Sequence, residues 1–130
     1  MNNTHTTTKY QQETDLKFLE IASAGDTILM KKIIRMFLEK TEIRMREIAR
    51  YIDLNKWEKV RDLAHTAKSS YSSVGAKNVS SALEKMEYNA GPHTKHQMQV
   101  IFSDILDANK IIQEELQSFL NGTNHEWKQH

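Results

Sequence analysis

TILMKKIIRMFLEKTEIRMREIARYI, residues 27–52, carries Ile34, Phe37, Thr41, Met45, Ile48 and Ile52 at spacings of three and four. With 3.6 residues per turn, such positions share one face, so the stretch predicts a long amphipathic helix. Just before it, Gly25-Asp26 reads as a stop followed by an N-cap. A short helix is expected over residues 15–23, with Leu16, Leu19 and Ala22 on one side. Residues 1–13 are polar and unpatterned, which predicts a flexible arm.

Downstream, Asn55 is expected to open a second long helix, with Glu58 as its capping-box partner. Its apolar stripe is Trp57, Val60, Ala64, Ala67, Tyr71 and Val74, and Gly75 ends it. Ala76, Val79, Leu83, Met86 and Ala90 form the stripe of the next helix, stopped by Gly91-Pro92. Thr94 with Gln97 predicts another capping box. The last stripe is Met98, Ile101, Ile105, Ile112, Leu116 and Phe119, closed by Asn121-Gly122. Four amphipathic helices on short connections predict an all-α fold, an antiparallel up-down-up-down four-helix bundle over residues 14–121. The short N-terminal helix is extra to it, and residues 122–130 are expected to be a flexible tail.

Composition narrows the function classes. A chain of 130 residues suits one domain with one modest core. It contains no cysteine, which excludes a disulfide framework, a thiolate nucleophile and a zinc–sulfur site. Eighteen basic and seventeen acidic residues are interspersed, with no basic block of the kind nucleic acid attracts. No apolar run nears the roughly 20 residues that span a bilayer, and MNNTHTTTKYQQET has no signal-peptide core. A cytoplasmic protein without nucleic-acid or membrane partners is expected. Four helices in one chain make a monomer sufficient.

Chemistry concentrates in AHTAKSSYSSVGAKN, residues 64–78. Four serines within 69–73 are poor helix formers, because their hydroxyls compete for local backbone hydrogen bonds. At about 100° per residue, His65 lies roughly 140° from its helix's core stripe, on the solvent side, and Lys68 about 80° from it. Arg61, His65 and Lys68 thus form one strip, continued by Ser69 and Ser72 with little bulk. A lone surface histidine is ordinarily only a solvated polar residue. A neutral imidazole beside a cation is also a nucleophile able to carry a phosphoryl group. Ser69 stands at the i+4 position where a metal site would want His or Glu, so no metal is expected. Neither a hydrolase elbow nor the Glu-x-x-His pairs of a di-metal bundle are present.

The stretch resembles the signature of histidine-containing phosphotransfer (HPt) domains, approximately A-H-x-L-K-G-S-x-x-x-[LIV]-G-A. Ala64, His65, Lys68, Ser70, Val74, Gly75 and Ala76 match in type and spacing. Gly25-Asp26, Phe37-Leu38, Asn55-Lys56-Trp57 and Leu83-Glu84 extend the likeness over roughly residues 15–120. Ala67 replaces the usual leucine and Ser69 a common glycine. The resemblance implies a phosphorelay protein without cofactors, which relays a group without autonomous turnover. His65 would accept a phosphoryl group from a receiver-domain aspartyl phosphate, through Nε2, and pass it to another receiver. Lys68 would neutralise the phosphate, with Arg61 and Ser69 as lesser contributors. Receiver domains and a hybrid sensor histidine kinase are the implied partners. The competing reading is a non-catalytic helical adaptor in which His65 is incidental.

Leu29, Met36 and Ile43 recur every seven residues on the far side of the first long helix. Such a row is either a contact surface or covered by the short N-terminal helix. The expectation is that this helix covers Leu29 and extends to Met36, leaving Ile43 and its polar surroundings for a partner, with Arg61, Ser69 and Ser72 as further candidate contacts.

Overall fold

The computed structural model describes residues 12–122, so the expectations for residues 1–11 and 123–130 lie outside the described residues. Among the described residues five α-helices follow one another: α1 Lys17–Ala22, α2 Thr27–Asp53, α3 Trp57–Ser73, α4 Lys77–Asn89 and α5 Lys95–Asn121. A single 3-10 turn, Pro92–Thr94, precedes α5, and no strand occurs among the described residues. Successive long helices pack on one another, and α5 returns to α2 as well as α4, closing a helical bundle.

The connections follow from left-handed residues at helix ends. At the end of α3, Gly75 takes φ +71°, Ala76 N–H donates to the Tyr71 carbonyl and Gly75 N–H to that of Ser72. This paired closure satisfies carbonyls that the helix leaves without partners. Asn55 does the same for α2: its φ is +58°, Lys56 N–H reaches the Tyr51 carbonyl and Asn55 N–H that of Ile52. Asn55 therefore terminates α2 rather than capping α3, whose N-cap is Lys56 with no side-chain bond. Asparagine tolerates the left-handed region, and that preference decides its place. Asp26 does cap α2, accepting from Leu29 N–H at 3.1 Å. Thr94 sits at the N-cap position of α5 but makes no side-chain cap; its hydroxyl reaches back to the Asn89 carbonyl at 2.7 Å.

The stripes of α2, α3 and α4 bury largely as their periodicity predicts, although Trp57 is only partly covered. In α5 the buried set is Met98, Phe102, Ile105, Asn109, Ile112, Leu116 and Phe119, so Phe102 replaces the predicted Ile101. Asn109 is a polar residue on an apolar face, and Tyr71 explains it. The fully buried Tyr71 hydroxyl donates to Asn109 Oδ1 at 2.6 Å, while its ring meets Phe37 edge-on with centroids 5.0 Å apart. Burial pushes the Tyr71 phenol up to about 12, opposed in part by the Thr41 hydroxyl.

Helix α1 turns Leu16 and Leu19 into the main core rather than over the α2 row. Leu29, Met36 and Ile43 accordingly remain 40%, 44% and 48% exposed, so the expected cover of the first two does not form. The segment leading into α1 is pinned at two points. Backbone N–H groups of Glu13 and Thr14, and the Thr14 hydroxyl, donate to the Glu115 carboxylate of α5. Asp15 N–H donates to the Val74 carbonyl, laying its backbone directly on Gly75.

Two predictions follow from this packing. Gly75→Ala would strain a left-handed residue and drive a Cβ into the Asp15 backbone. It is expected to destabilise the fold by about 2–4 kcal/mol in urea unfolding. Tyr71→Phe, which strands Asn109 Oδ1 in the core, should cost about 1–3 kcal/mol at neutral pH. Because the folded phenol is raised, its contribution is full below the ordinary value of 10.0 and is lost as pH rises toward about 12. The gap between wild type and Tyr71→Phe should therefore narrow across that alkaline window.

Candidate functional site

Helix α3 presents His65 to solvent, its side chain 65% exposed, and Lys68 at the core boundary, 24% exposed. This is the placement that their angles from the apolar stripe predict. What single-helix periodicity does not contain is Glu87. This carboxylate projects from α4 between the two, with Oε2 2.7 Å from His65 Nδ1 and Oε1 3.2 Å from Lys68 Nζ.

The electrostatics assign the proton. For Glu87, partial burial acts to raise the carboxyl, but the hydrogen bonds from Lys68 and His65 outweigh it and hold the group below its ordinary value. Lys68 is shifted upward, first by its hydrogen bond to Glu87, against an opposing desolvation, with Glu84 adding to the field. An ionised carboxylate only accepts hydrogen bonds, so the ring nitrogen facing Glu87 is the one that carries hydrogen. In neutral His65 that leaves the lone pair on Nε2, at the outer edge of the ring. An exposed imidazole so oriented is a nucleophile presented outward, with an ammonium group one helical turn away.

Several contacts hold α3 against α4 so that this geometry is preset. Ala64 and Ala67, small and fully buried, lie on the core face of α3. Toward one end, Arg61 donates to the carbonyl of Ala90, the residue that closes α4, at 2.9 Å. Toward the other, Ser72 and Ser80 share a hydrogen bond of 2.7 Å, and the Ser80 hydroxyl reaches the Lys68 carbonyl at 3.3 Å. Of the residues singled out in the sequence, Arg61 and Ser72 thus serve as interhelical clamps on either side of His65. Ser69 is exposed and lines a groove with Lys68, Ser72, Phe18 and Ile21. Ile43 is exposed on α2, one residue before Arg44, whose guanidinium donates to Ser70 on α3 at 3.0 Å. Gly75 marks the reversal from α3 to α4 and seats the Asp15 backbone.

One signal in the sequence points to Glu87. Once α3 and α4 fold back about Gly75, His65 lies ten residues before the turn and Glu87 twelve after it. Ser72 and Ser80, three before and five after, have the same offset, so one hairpin register pairs both couples. Among the described residues no group of three or more His, Asp or Glu could hold a metal ion. No described helix is long and apolar enough to cross a membrane.

Comparison with curated proteins and with solved structures gave no match. A family model described as the Hpt domain matches residues 32–122, from the first turns of α2 through the end of α5. That span takes in His65, Lys68 and Glu87 and covers well over half of the chain. On this match the chain belongs to the Hpt domain family, the family of histidine phosphotransfer in phosphorelays.

Proposed function

We propose that this protein carries phosphoryl groups between receiver domains of a multistep two-component phosphorelay, with His65 as the carrier. The observation that carries the reading is an exposed imidazole whose Nδ1 is engaged by Glu87, which leaves Nε2 outward. The Nε2 lone pair attacks phosphorus, and the P–O bond to the receiver aspartate breaks with its electron pair on the carboxylate. Nδ1 keeps its proton throughout, so loading needs no proton transfer from His65. Discharge to a second receiver is the same exchange in reverse.

Lys68 is assigned to the phosphoryl oxygens as a charge-assisted donor, with Arg61, Ser69 and Ser72 in supporting contact. Arg61 and Ser72 already hold α3 to α4, so their share is chiefly to keep the ring in register. The receiver's docking face is read as the groove beside Lys68 and Ser69, bordered by exposed Phe18 and Ile21, with Ile43 farther along α2. A hybrid sensor kinase upstream, cytoplasmic location, action as a monomer and a chain without cofactor complete the reading. The bundle is read as antiparallel and up-down-up-down over residues 14–121, supported by the packing of sequential helices and the return of α5 to α2.

Incubation with a phosphorylated receiver domain tests this reading. Acid-labile phosphate should appear on the wild-type chain and be absent from His65→Ala. Lys68→Ala should slow transfer roughly tenfold with an unchanged helical circular dichroism spectrum. An unlabelled wild type, or equal labelling of His65→Ala, would instead leave a helical adaptor with an incidental histidine.

A further inference from the structure

The Glu87 carboxylate is a point of conflict in a phosphate-carrying site. Its two oxygens hold His65 Nδ1 and Lys68 Nζ at once, so the ammonium that shares this carboxylate with the ring is already paired before any phosphate arrives. The other carboxylate acting on Lys68 is Glu84, again an anion. Arg61, the other cation on the strip, has its Nη1 on the Ala90 carbonyl.

We infer that Glu87 and the phosphoryl group on His65 compete for Lys68. Glu87 is thereby a positioning residue that keeps Lys68 in reserve. The inference rests on His65 as the carrier. When Nε2 gains a doubly charged phosphoryl group, Lys68 swings from Oε1 to the new oxygens, and what it contributes there is reduced by what it gives up at Glu87. The loaded state is held less firmly than an unopposed lysine would hold it, which suits a module whose task is to pass the group on. The carboxylate cannot follow the lysine outward, because like charges repel and its other oxygen remains on the ring N–H.

A small phosphodonor tests the competition without any receiver. In mixtures of phosphoramidate and ammonia, the N-protonated donor's P–N bond breaks with its electron pair on nitrogen, releasing neutral ammonia, and a P–Nε2 bond forms. The loaded fraction, read by phosphorus NMR, gives a relative loading constant for wild type, Lys68→Ala, Glu87→Gln and the double variant. Lys68→Ala should lower that constant by roughly two- to fivefold more in the Glu87→Gln background than in wild type, the worth of one exposed ion pair. Glu87→Ala, which removes the same charge without an amide, should give the same coupling. Equal or smaller losses in the charge-free backgrounds overturn the competition. Failure of His65 to load from phosphoramidate overturns the carrier reading and this inference together. Normal loading with the expected coupling, but no transfer from a receiver, supports the competition and removes only the partner assignment.

Discussion

The site depends on how closely α3 and α4 approach. Ser80 of α4 comes near enough for its hydroxyl to reach a main-chain carbonyl of α3. Only at that separation can a short carboxylate on α4 touch both an imidazole and an ammonium on α3. The serine-rich composition that weakens α3 as an isolated helix is thus what lets it pair. Helix propensity is given up locally and recovered through tertiary packing, the usual source of helical stability in proteins.

Most of the fold was legible because apolar spacing reports burial directly. Ile34, Phe37, Met45, Val60, Leu83 and Ile105 all bury as their positions predict. The misreadings share a cause: residues with two plausible local jobs. Asn55 suits an N-cap and a left-handed helix end equally well, and the chain reversal after Leu54 selects the second. Thr94 had a similar choice and turned back toward Asn89. Asn109 was invisible as a core position because its partner, the Tyr71 hydroxyl, lies 38 residues away. The exposure of His65 could be read from angle alone. Glu87 could not, because its role exists only between two helices and no one-helix pattern records it.

Charge in the site is arranged as a short alternating series: imidazole, carboxylate, ammonium. None of the three is sealed from water: His65 is 65% exposed while Glu87 and Lys68 keep 21% and 24%, and their mutual hydrogen bonds outweigh the desolvation of Glu87. The same exposure leaves the contacts exchangeable on binding, whereas a deeply buried triad would be locked. Rigid clamps at Arg61 and Ser72 frame this soft centre, so the helices keep their register while the side chains between them remain free to change partners.

The contacts upstream of α2 bear on where a working unit of this protein can be cut. The family match begins at residue 32, yet Leu16 and Leu19 fill the common core and the Asp15 backbone covers Gly75. A fragment trimmed to the matched span would uncover Gly75, leave an apolar hollow against α2, and deprive Glu115 of the amides of Glu13 and Thr14. Excision therefore has to respect the strap rather than the motif, and the natural incision lies ahead of Glu13.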